Sequence, residues 1–122
     1  MWRYLNKNPQ SRDVNDCVIR SISCAESRSW GDVYDELSLL AKEQGIILDD
    51  VRFVEPYLDG KYERTCFKQE GFAMTVGEFV DTHKEGIYLV TMRGHITCVK
   101  NGILYDTWDC RDRLIWCAWE VK

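Results

Sequence analysis

The sequence predicts an α+β fold in which helices come first and an antiparallel β-sheet follows. Three observations carry this. Between Asp16 and Leu58 the apolar residues recur at helical spacing. From Lys61 onward, one short helix apart, β-branched and aromatic runs replace that period. Asn101-Gly102 then separates two such runs, the strongest short signal for a two-residue hairpin.

The first segment, residues 1–15, is polar and reads as irregular, with Asn6, Asn8, Pro9, Gln10, Ser11, Asp13 and Asn15. A helix is expected from Asp16 to about Ser27, with Val18, Ile19, Ile22 and Ala25 on one face and Asn15 or Asp16 as cap. A second helix is expected over Trp30–Gln44, capped by Ser29, supported by Asp32 and closed by Gly45. A short third spans about Asp50–Leu58, with Pro56 inside it, and Asp59-Gly60 marks a turn. Lys61–Phe67 reads as a strand and Thr75–His83 as a short helix capped by Thr75. Gly86–Arg93, His95–Lys100, Ile103–Trp108 and Leu114–Val121 are the remaining strands.

With 122 residues, 45% hydrophobic and 30% charged, the chain is expected to form a single domain, 1–122, with a core of its own. The net charge of −4 is mixed along the sequence, with no run of five like charges, so nucleic acid is not the expected partner. The opening MWRYLNKNPQSRD lacks the apolar stretch of a secretion signal, and no segment approaches membrane-spanning length, so a cytoplasmic protein without a membrane partner is expected.

Six cysteines are present: Cys17, Cys24, Cys66, Cys98, Cys110 and Cys117. With regular secondary structure and no export signal, buried thiols are expected rather than a disulfide framework. Without a Cys-x-x-Cys pair and with only two histidines, structural zinc is not expected, nor is another metal or a cofactor.

One cysteine stands apart. Cys17 opens the first helix, in Asn15-Asp16-Cys17-Val18-Ile19. A helix N-terminus offers free N–H groups and partial positive charge, which favour a thiolate and can also hold an oxyanion. His95 begins a strand in Arg93-Gly94-His95, whereas His83 reads as an exposed helix end. The hairpin count links His95 to a carboxylate. If Lys100 pairs with Ile103, then Val99 faces Leu104, Thr97 faces Asp106 and His95 faces Trp108. His95 and Asp106 thereby share a face as diagonal neighbours, at about 7 Å between Cβ atoms. Asp109 has the wrong parity. Cys17 then reads as nucleophile, His95 as its base and later acid, and Asp106 as the group that orients the imidazole.

These motifs, Asp16-Cys17, Gly94-His95 and Asp106-Thr107-Trp108-Asp109, resemble papain-fold thiol peptidases, and most closely small phage and bacterial papain-like proteins. The resemblance runs from about Tyr4 to Trp119. It implies a papain-like fold and cleavage of a peptide or isopeptide bond in a peptide or protein substrate. In such enzymes a glutamine about six residues before the cysteine helps bind the oxyanion. Ser11 stands at that place here, which makes Gln10 and Asn6 the oxyanion-hole candidates. The same triad would suit a peptidoglycan amidase or a transglutaminase-like enzyme. A catalytically weak binding or inhibitor protein on this scaffold is the alternative from a different class; there the aromatic residues Tyr105, Trp108, Trp116 and Trp119 would be interface anchors rather than core.

Overall fold

The computed structural model describes residues 1–67 and 73–122. Ten elements follow in the order β1 (Trp2–Tyr4), α1 (Cys17–Glu26), α2 (Trp30–Gln44), α3 (Val51–Asp59), β2 (Arg64–Cys66), α4 (Val76–Thr82), β3 (Ile87–Met92), β4 (His95–Lys100), β5 (Ile103–Asp106) and β6 (Ile115–Val121). The fold is α+β, with the helices mostly early and the strands mostly late. Among the described residues no helix is long and apolar enough to cross a membrane.

The strands form one six-stranded sheet in the order β1-β5-β4-β3-β6-β2. Two cores lie against it. Ile22, Val33, Leu37, Phe53 and Leu58 of α1–α3 pack with Leu89, Ile96, Cys98 and Trp119. Val76, Phe79 and Val80 of α4 pack with Val90, Val99, Leu104 and Ile115. Alternation along β3 and β4 divides these residues between the two cores, as period-2 side chains require.

The expected sheet needs three corrections. It is mixed rather than antiparallel, because β1 lies parallel to β5, with Trp2 beside Leu104 and Tyr4 beside Asp106. The first residues are therefore not all irregular; their ladder partners come from the far end of the chain. The strand expected over Lys61–Phe67 is only Arg64–Cys66. Lys61 and Tyr62 turn back instead to the buried Glu26 carboxylate, each at 2.6 Å. Finally, β5 ends at Asp106 and not at Trp108, because the Asp106 Oδ1 accepts the Thr107 N–H at 2.7 Å and closes a turn in place of the ladder.

The starts of α2, α3 and α4 follow the sequence closely, whereas the cap expected from Asn15 or Asp16 on α1 is not made, because the Asp16 carboxylate bonds Asn8, Arg20 and Trp30 instead. Ser29 accepts the Asp32 N–H, Asp50 accepts the Arg52 N–H, and Gly45 closes α2 at φ +68°. Thr75 and Glu78 form a reciprocal capping box at the start of α4. The hairpin register is as counted, Lys100 against Ile103 and Val99 against Leu104, with Asn101 and Gly102 both at positive φ as a type I′ turn demands.

Candidate active site

His95 is the first residue of β4 and Asp106 the last of β5, so antiparallel pairing puts both at one end of the sheet. The His95 Nε2 lies 2.6 Å from the Asp106 Oδ2, the pairing that the hairpin count requires. The N-terminus of α1 brings Cys17 to the same end, where it and His95 line one cleft. Cys17, His95 and Asp106 are thus brought together from three elements.

Burial weakens the imidazole's hold on its proton, but the hydrogen bond to Asp106 and the nearby Cys110 and Cys17 sulfurs outweigh that and raise His95 to about 11. Burial likewise opposes the Asp106 carboxylate, and its bonds to His95 and the Thr107 N–H, with the nearby Thr97 hydroxyl, overcome it, so Asp106 is held below the ordinary carboxylate range. At neutral pH the pair is an imidazolium beside a carboxylate. The Trp108 ring, 5.0 Å from the His95 ring, covers it, and the Arg113 guanidinium lies 5.3 Å from the Trp108 ring centre.

A cleft of about 180 Å³ opens over Cys17 and His95. Its apolar lining includes Val18, Val54, Met92, Ile96 and Trp116, and Asn15, Asp49, Glu55 and Thr91 add polar groups. Asp49 accepts from Asn15 and Glu55 pairs with Arg64, so both rim carboxylates are engaged.

The two amides picked out as oxyanion-hole candidates lie elsewhere. Asn6 donates to the Arg12 carbonyl and accepts the Asn8 N–H, which commits its side chain to the N-terminal loop. Gln10 is exposed, and the amide that lines the cleft is Asn15. Asp109 forms a two-pronged surface pair with Arg111, both contacts at 2.8 Å; since β5 ends at Asp106, strand parity does not reach it. His83 is a helix-end residue stacked on Phe79, with its Nδ1 at 2.9 Å from the Phe79 carbonyl.

Sequence reasoning missed the polar network behind the triad. Asp16 is buried and accepts from Asn8, Trp30 and Arg20. Arg20 also reaches Asp106 and Thr107. A signal existed: Arg20 is a charged residue among Val18, Ile19 and Ile22, on a helix that is buried nearly all round. Asn8 had no comparable signal. Cys110 is the other omission, a buried thiol 3.9 Å from the Asp106 Oδ2.

The donor atoms of His95, Asp106 and Cys110 lie within 4.8 Å of one another, a spacing that a cation could bridge. The chemistry opposes it. Both Asp106 oxygens already hold partners, one of them the Arg20 guanidinium at 3.1 Å, so a cation would have to displace or face a fixed positive charge. The other cysteines are free thiols: Cys24 and Cys98 are buried in one core, and Cys66 lies opposite Cys117 across β2 and β6. In comparisons with known proteins, the chain matches no family model, no curated protein and no solved structure.

Proposed function

We propose that this chain is a cysteine hydrolase of papain-like type that cleaves a peptide or isopeptide bond in the cytoplasm. The observation that carries the reading is a thiol at a helix N-terminus sharing a cleft with a histidine, one of whose ring nitrogens is fixed by a buried carboxylate. With Nε2 given to Asp106, Nδ1 is the nitrogen left to exchange a proton with Cys17.

The Cys17 sulfur, its proton held by His95, attacks the carbonyl carbon as a thiolate and the C=O electron pair moves onto oxygen. As that tetrahedral species collapses, the C–N bond breaks and His95 gives its proton to the leaving amine. A thioester on Cys17 remains. Water then attacks it, His95 takes the water's proton, and the acid departs as the thiolate re-forms. The oxyanion is supported by the helix. The Asp16 side chain, spent on Asn8, Trp30 and Arg20, makes no cap on α1, so the first-turn N–H groups at Cys17 and Val18 face a developing negative charge without a competing side chain.

The test is the rate of Cys17 alkylation by iodoacetamide against pH, resolved by site with mass spectrometry. Cys17 is expected to react at pH 6 ahead of the other five thiols, and His95→Ala to remove the advantage. Asp106→Ala is expected to reduce the rate, and Asp109→Ala to leave it unchanged. A Cys17 that reacts no faster than an ordinary thiol, of pKa about 8.5, would sink the hydrolase reading in favour of a binding protein.

A further inference from the structure

Helix α1 carries more than the nucleophile. One turn beyond Cys17, Arg20 extends to the sheet, and its fork divides between two carboxylates. Nε donates to the Asp16 Oδ1 at 2.7 Å, while Nη1 donates to the Asp106 Oδ1 at 3.1 Å and to the Thr107 Oγ1 at 3.2 Å. Arg20 is 11% exposed, Asp16 5% and Asp106 3%, so this is an interior ion network and not a surface pair.

The partners sort cleanly by oxygen. On Asp106, Oδ1 receives Arg20 and the Thr107 N–H, and Oδ2 receives His95 and Cys110. On Asp16, Oδ1 receives Arg20, and Oδ2 receives the Asn8 amide at 3.1 Å and the Trp30 indole at 3.0 Å. Neither carboxylate can rotate without breaking a charge-assisted bond. The result is an alternating chain of charge, Asp16, Arg20, Asp106, His95, in which each interior member touches two of opposite sign. Burial alone would make Arg20 shed its proton more readily; the two carboxylates reverse that and hold it charged.

We propose that Arg20 is the positioning residue of the site: it ties the helix that bears Cys17 to the strand that bears Asp106, and so sets the aim of His95. The helix supplies the nucleophile and, one turn later, the group that fixes the orienting acid. A lysine keeps the charge but presents a single point donor, which cannot span Asp16 and Asp106 together. This role rests on the hydrolase reading only for its consequence in catalysis; the Arg20–Asp106–His95 geometry can be read without it.

The experiment compares wild type with Arg20→Lys and Asp16→Asn by two readouts. The first is the low-field proton resonance of the His95 Nε2–H, assigned by its loss in His95→Gln. The second is the pH profile of Cys17 alkylation. Arg20→Lys is expected to keep the circular dichroism of the native fold, to lose the low-field resonance through exchange, and to slow Cys17 alkylation at pH 7 by about tenfold. Asp16→Asn, which keeps the shape and weakens the anchor, is expected to broaden the resonance and slow alkylation by about threefold. If Arg20→Lys folds and keeps both the resonance and the profile, the proposal is overturned. Should Arg20→Lys not fold, unchanged readouts in Asp16→Asn overturn it instead. A wild-type Cys17 of ordinary reactivity, with a His95 resonance that still depends on Arg20, would remove the hydrolase reading and leave the positioning role standing.

Discussion

The starts of α1 and α4 are built from similar residues and finished differently. At α4, the Thr75 hydroxyl accepts the Glu78 N–H at 3.1 Å, and the Glu78 carboxylate accepts the Thr75 N–H at 3.2 Å. The turn is closed on itself and serves stability alone. At α1, Asp16 stands where a capping side chain belongs, yet it bonds none of the helix's own N–H groups. Its oxygens go to Arg20, Asn8 and Trp30. The starts of α2 and α3 are also capped, by Ser29 and Asp50. Among the described residues, the helix whose start has no side-chain cap is the one that begins with the candidate nucleophile. The difference teaches that a helix terminus can be used for packing or for chemistry, and that what its cap residue binds tells which.

The hardest blow to the α1 end is Asp106→Ala. It strips His95 of its carboxylate partner and Arg20 of one of its two, in side chains only 10% and 11% exposed. A loss of about 3–5 kcal/mol of stability is expected, read by urea denaturation. A loss near zero would mean that water, not the carboxylate, solvates this end of the sheet.

Next in size is a pH effect. His95 is raised from 6.5 to about 11, so its pairing stabilises the fold fully below pH 6.5 and is lost as pH rises through about 11. Asp106 is lowered, so its share is present above the ordinary carboxylate range and lost as pH falls through its own folded value. The Tm advantage of wild type over His95→Gln is therefore expected to be widest in mildly acidic solution and to narrow steadily from pH 7 toward pH 11. A constant gap would contradict the imidazolium assignment.

The smallest effect belongs to α4. Thr75→Ala is expected to cost about 1 kcal/mol and to leave Cys17 alkylation unchanged. A changed alkylation rate would mean that the two helix starts are coupled and the contrast between them is false.

What the sequence made legible was local. Asn101-Gly102 fixed the hairpin register, and period-2 counting from it placed His95 beside Asp106. Ser29, Gly45 and Thr75 marked helix ends through side-chain chemistry with near neighbours. The misses were long-range. Strand β1 has three residues and no period of its own; what makes it a strand is β5, to which Leu104 ties it by donating to the Met1 carbonyl. Asn8 reads as one loop amide among several, because only the folded chain brings it to Asp16. Gln10 and Asn6 were selected by spacing from the cysteine, and the loop that carries them directs neither into the cleft.

The bond between Arg20 and Asp106 joins positions 86 residues apart in the chain. During synthesis, Asn8, Asp16, Cys17 and Arg20 leave the ribosome long before His95 and Asp106. Helices α1–α3 emerge with a thiol, an arginine and no imidazole to meet them. The last partners arrive together, on the two arms of one hairpin whose turn is set by two adjacent residues. The Cys17 thiol therefore has no imidazole to meet until synthesis has passed His95, and the His95–Asp106 pair requires β5 beside β4.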